Sequence, residues 1–118
     1  MNHTVVETPA YLRAARDAGM TEVELRAAVD LIAADPEAGD AIVGTGGCRK
    51  VRLAGRGKGK SGGYRLITYY ADPHTPAFLL TVFSKGERSD LSQRERNALA
   101  ELTRNLAKSL GPRAVARR

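Results

Sequence analysis

The chain has 118 residues, 42% hydrophobic and 27% charged, with a formal net charge of +6 and a single cysteine. That length fits one domain, the balanced composition argues against wholesale disorder or a fibre, and no apolar run approaches the roughly 18–20 residues of a membrane-spanning helix. Cys48 alone can make neither an intramolecular disulfide nor a thiolate metal site, and no charged-then-apolar signal segment opens the chain, so the expected location is the cytoplasm.

His3 to Glu7 is a short β-branched stretch suited to a strand. Thr8-Pro9 follows as a helix start, with Thr8 as N-cap and Pro9 at the first helical position, and this helix is expected to stop near Gly19. A second helix starts at Thr21, whose spacing to Glu24 makes a capping box. Leu25, Ala28, Val29 and Ile32 fall on one of its faces, and Asp35-Pro36 ends it.

Gly39 to Gly47 is glycine-rich, lacks any period and reads as a loop. It leads into Arg49-Lys50-Val51-Arg52-Leu53, a strand in which Lys50 and Arg52 stand on the face opposite Val51 and Leu53. Ala54 to Gly63, with its several glycines, predicts a flexible loop. Tyr64–Ala71 and Ala77–Phe83, joined by Asp72-Pro73-His74-Thr75-Pro76, predict an antiparallel hairpin. Ser92 and Glu95 make another capping box for an amphipathic helix through Leu99, Leu102, Leu106 and Leu110, closed by Gly111-Pro112. Residues 112–118 are expected to form a mobile basic tail. The order β, α, α, β, β, β, α predicts a single α+β domain over 1–118, with helices covering one side or end of a small antiparallel sheet.

Charge is unevenly placed. Residues 1–48 hold three Lys/Arg against eight Asp/Glu, a net −5, whereas residues 49–118 carry +11. Arg49, Lys50, Arg52, Arg56, Lys58, Lys60 and Arg65 crowd one segment without an acid among them, and such clusters displace counterions from a phosphate backbone. A polyanion is the expected partner.

Other chemistries find less support. Gly59-Lys60-Ser61 resembles the end of a phosphate-binding P-loop, but Ala54 stands where the motif needs its first glycine and a strand follows where it needs a helix. His3 and His74 lack a carboxylate pattern to orient either as a base, no His/Asp/Glu spacing suggests a metal, and Cys48 reads as a small hydrophobe. No cofactor is expected.

Three blocks carry a family resemblance: Gly39-Asp40-Ala41-Ile42-Val43-Gly44-Thr45-Gly46-Gly47-Cys48-Arg49-Lys50-Val51-Arg52, then Gly57-Lys58-Gly59-Lys60-Ser61-Gly62-Gly63-Tyr64-Arg65, then Phe83-Ser84-Lys85-Gly86-Glu87-Arg88-Ser89-Asp90-Leu91-Ser92. In this order, over about residues 4–108, they resemble the HigB branch of the RelE toxins of bacterial type II toxin–antitoxin modules. The resemblance implies two helices ahead of an antiparallel sheet and a closing helix. It also implies a ribosome-dependent endoribonuclease that cuts translated messenger RNA without a metal: the RNA's 2′-hydroxyl attacks the adjacent phosphorus, leaving a cyclic phosphate and a free 5′-hydroxyl.

That reaction needs a proton acceptor, cations around the pentacoordinate phosphorus and a proton donor to the leaving oxygen. By resemblance Lys50 and Arg52 match the family's strand cations, one of them a base candidate, since a lysine crowded by cations loses its proton more readily. Arg65 matches the transition-state arginine and Lys85 a residue at the scissile phosphate. Arg49, Arg56, Lys58, Lys60 and Arg88 are the implied RNA- and ribosome-binding set. Ser92 departs from the pattern, because some relatives carry a catalytic tyrosine there. The implied partners are the ribosome with its message and a cognate helix-turn-helix antitoxin, with no membrane. The alternatives are a ParE-like toxin that poisons gyrase, which shares this fold, and a nucleic-acid-binding module without catalysis.

Overall fold

The computed structural model describes residues 3–55, 63–88 and 90–116, with side chains as far as Ser109. Its elements run β1 (Val5–Glu7), α1 (Pro9–Ala18), α2 (Glu22–Ala34), β2 (Asp40–Ala41), β3 (Cys48–Leu53), β4 (Tyr64–Tyr69), β5 (Ala77–Ser84) and α3 (Gln93–Ala116). Each helix start follows its local chemistry. The Thr8 hydroxyl accepts from the Tyr11 amide at 3.1 Å and donates to the Leu79 carbonyl at 2.8 Å, which ties α1 to β5. Thr21 and Glu24 cap α2 reciprocally, at 2.9 and 3.1 Å, and Ser92 and Glu95 do the same for α3 at 2.8 and 3.1 Å. Gly19, in the left-handed conformation, ends α1.

The five strands form one sheet in the order β1-β5-β4-β3-β2. It is mixed rather than purely antiparallel: β1 lies parallel to β5, while β2–β3, β3–β4 and β4–β5 are antiparallel. The hairpin of β4 and β5 forms as expected, with a register shift at Ile67/Thr68. Within the segment expected to be loop, Asp40 and Ala41 pair with Lys50 and Arg49 as a two-residue edge strand, too short to show a period.

Helices cover both faces, not one. Tyr11, Ala15, Ala28 and Ile32 of α1 and α2 pack with Val51, Leu53, Tyr64, Leu66, Leu79 and Val82. On the other face Leu91 and Leu99 pack with Ile42, Cys48, Ile67, Tyr69, Leu80 and Phe83. All six residues of β4 are therefore buried, as befits a central strand with apolar side chains in both alternation phases. Thr103 rather than Leu102 faces this second core: Leu102 is 41% exposed, while the Thr103 hydroxyl is buried and donates to the Thr45 carbonyl at 2.9 Å. The backbone of α3 continues past Gly111-Pro112, where the sequence predicts its end, to Ala116. Proline removes one donor, and propagation from the turns already formed costs much less than nucleation. Among the described residues no helix is long and apolar enough to cross a membrane.

Candidate active site

The alternation of β3 sends Cys48, Lys50 and Arg52 to the α3 face of the sheet. Register then assembles a row across three strands: Arg52 pairs with Arg65, and Arg65 pairs with Phe83. The Arg65 side chain lies within the sheet surface, its residue 9% exposed, and Nη1 donates to the Tyr64 carbonyl at 3.4 Å. Arg88, from the turn after β5, lays its guanidinium 4.5 Å from the Phe83 ring centroid, a cation–π contact that places it at the end of the row. Lys85 is exposed in the same turn, and its amide donates to the Gly63 carbonyl at 3.0 Å, beside the start of β4.

Two carboxylates reach into this group. Asp90 Oδ1 accepts from Lys50 Nζ at 3.3 Å and Oδ2 from Arg96 Nη2 at 3.3 Å. Glu95 accepts from Arg88 Nη1 at 2.6 Å. The Leu91 amide, followed by Lys50 and Arg96, holds the Asp90 carboxyl below its usual range. Burial pushes Glu95 upward, but the hydrogen bonds from Arg88 and the Ser92 amide outweigh it and its carboxyl also lies low. Among the described residues neither Arg52 nor Arg65 has a carboxylate within ion-pairing distance.

Lys50, Arg52, Arg65, Lys85 and Arg88 thus gather around one end of the α3 face. Arg49 does not join them. It lies on the opposite phase of β3, where Nε donates to the Ala38 carbonyl at 3.3 Å and Nη2 to the Gly39 carbonyl at 2.9 Å, bracing the chain before β2. Arg56, Lys58 and Lys60 lie outside the described residues. The Lys50 ammonium lies against the Asp90 carboxylate, whose other oxygen holds Arg96.

Three participants escape sequence reasoning. Asp90 looks like an ordinary acid ahead of a helix, Arg96 like a surface arginine of α3, and Phe83 like core. The only hint is the alternation of charges through Lys85, Glu87, Arg88, Asp90, Arg94, Glu95 and Arg96. Ser92 is an exposed cap, as its spacing indicates.

The remaining nucleophilic and ligating groups stand apart. Cys48 is fully buried and burial pushes its thiol up to about 11, which keeps it protonated. His3 meets Tyr70 edge-on at 5.5 Å, and His74 occupies the β4–β5 turn with its amide donating to Asp72. Both belong to the end of the sheet opposite Arg52 and Arg65. No three His, Cys, Asp or Glu side chains among the described residues come together in a metal-binding cluster.

Such a surface can bind a phosphodiester and stabilise added negative charge on it. A family model described as the RelE toxin of the RelE/RelB toxin–antitoxin system matches residues 3–112. Among solved structures, a double arginine-to-alanine mutant of the E. coli toxin RelE in the free state is similar, with a TM-score of 0.51 and 22% identity. The match covers 70% of this chain and 83% of that one, a likeness of fold.

Proposed function

The chain belongs to the RelE toxin family, and from that membership we propose that it is a ribosome-dependent endoribonuclease, of the HigB branch, that silences translation by cutting messenger RNA. The observation that carries this reading is the Arg52–Arg65–Phe83 row with Arg88 stacked at its end, a cationic surface whose two central arginines lack carboxylate partners among the described residues. It suits a group of developing negative charge, as a pentacoordinate phosphorus is.

In the proposed reaction the message supplies its own nucleophile. The 2′-oxygen bonds to phosphorus as the bond from phosphorus to the 5′-oxygen breaks, the 2′ proton passes to a base, and the 5′-oxygen takes up a proton. Arg65, held by burial, and Arg52 stabilise the equatorial oxygens; Arg88 grips the neighbouring backbone. Arginine does not surrender its proton, so the donor to the 5′-oxygen falls to a lysine. Lys50, whose ammonium is held by Asp90, fits that part; Lys85, exposed in the turn after β5, adds its charge at the scissile phosphate. In this reading residues 1–118 act as one domain on cytoplasmic ribosomes, and a helix-turn-helix antitoxin neutralises the toxin by covering the cationic face with acidic residues.

Induction of the protein without its antitoxin, with 5′ ends of transcripts mapped by primer extension, tests the proposal. New 5′-hydroxyl ends inside translated coding regions, absent when initiation is blocked, are expected. Intact messages with gyrase-dependent DNA breaks would instead assign the ParE-like activity, and ribosome binding without cleavage would leave a binding module.

A further inference from the structure

Asp90 joins three pieces of the cationic face. Its Oδ1 accepts from Lys50 Nζ of β3 at 3.3 Å and from the Leu91 amide at 2.8 Å, while Oδ2 accepts from Arg96 Nη2 of α3 at 3.3 Å. Arg96 is held at a second point, Nη1 donating to the Val43 carbonyl at 3.4 Å. The carboxylate is half exposed, so these ion pairs contribute little to stability. On a surface that grips a polyanion it also repels the ligand. What it does supply is geometry. A lysine side chain has four free torsions, and a carboxylate anchored by a backbone amide holds its ammonium in one place; the same carboxylate sets the guanidinium of Arg96 beside it.

We infer that Asp90 is a positioning residue for RNA cleavage, holding Lys50 and Arg96 as a preassembled pair of phosphate donors, and that Arg96 is a further RNA-contacting residue. The inference rests on the ribonuclease reading above. It separates two quantities that a simple counter-charge would move together. Removing a mere repulsive anion speeds cleavage as well as tightening binding, whereas removing a positioning anion leaves binding intact and slows the chemical step.

The experiment uses the full chain as wild type, Asp90→Asn, Lys50→Ala and the double variant. Ribosome affinity is measured by pelleting, and single-turnover cleavage of a ribosome-bound message is followed at saturating toxin. Asp90→Asn should bind ribosomes at least as tightly as wild type, because one negative charge has gone, yet cleave roughly 10- to 100-fold more slowly. In the Lys50→Ala background the same substitution should cost less than in wild type, what remains being the share that acts through Arg96. Asp90→Asn cleavage at the wild-type rate or faster overturns the inference, as does an equal loss in both backgrounds. Arg96→Gln approaches the clamp from the other side should Asp90→Asn lower the folded fraction: a slower single-turnover rate is expected, and the wild-type rate overturns the inference. Wild-type protein that does not cleave would overturn the ribonuclease reading and this one together; active wild type with an indifferent Asp90→Asn overturns this one alone.

Discussion

Arg52 and Arg65 stand directly opposite each other as register partners in β3 and β4. Like charges at that position destabilise a sheet, and Arg65 at 9% exposure also carries part of the cost of leaving water. The neighbour of Arg65 on its other side is Phe83, which offers a ring and no anion. An incoming phosphate is the species that would offset the repulsion.

Relief of this repulsion should therefore stabilise the fold. Arg52→Thr places a good strand former at an exposed site, and the unfolding free energy in urea is expected to rise by about 0.2–1 kcal/mol. The gain should shrink in high salt, where screening already weakens the pair. Cleavage should fall in the same variant, so stability and activity move in opposite directions.

Below the other face, the Tyr64 hydroxyl donates to Glu24 Oε1 at 2.9 Å, and both residues are 1% exposed. Tyr64→Phe removes a donor from a buried carboxylate and should cost about 1–3 kcal/mol. Burial, then the bond to Glu24, pushes the Tyr64 phenol up to about 12. In the unfolded chain it ionises near the ordinary value of about 10. The stability tied to this phenol is thus complete below pH 10 and is lost as pH rises towards 12. Denaturation series across that window should show falling stability, with a shallower fall in Tyr64→Phe. Some slope should persist, because Tyr11 is raised in the same direction by its burial and by Glu7.

Gly46 carries the glycine block against α3. Its φ is +76°, and an added Cβ would run into Oγ1 of Thr103, the hydroxyl that donates to the Thr45 carbonyl. Gly19→Ala provides the control, since φ there is +81° but no atom lies within 4 Å of the added carbon. The control should lose about 1–2 kcal/mol from left-handed strain. Gly46→Ala should lose at least about 1 kcal/mol more through the clash and the hydrogen bond it breaks, and Thr103→Ala added to Gly46→Ala should recover the share due to the clash. Thermal melts of the three variants check the order.

The helix starts are legible in the sequence because their causes are local: Thr8-Pro9, Thr21 with Glu24, and Ser92 with Glu95 are self-contained chemical units. So is the facing of Lys50 and Arg52, which needs only the alternation of a strand. The site's remaining features depend on residues distant in sequence. Arg49 resembles its neighbours in charge but is drawn to the Ala38 and Gly39 carbonyls, and β2 exists only because β3 lies beside it. Leu102 satisfies the helical spacing, yet Thr103 meets the loop at Thr45 and takes the inward position. Asp90 reaches Lys50 across forty residues, which no local pattern encodes. The parallel seat of β1 against β5 is likewise a property of the assembled sheet.

Single-turnover cleavage of a ribosome-bound message, at saturating toxin, tests the cationic row most directly. Wild type should release a 2′,3′-cyclic phosphate and a 5′-hydroxyl. Arg65→Gln, which keeps most of the buried stem, and Lys85→Ala should each slow the step by about 10²–10³ while still pelleting with ribosomes, because the charge they lose acts mainly in the transition state. Full-rate cleavage by both variants would contradict the site, and lost pelleting with normal rates at saturation would move both residues from chemistry to grip.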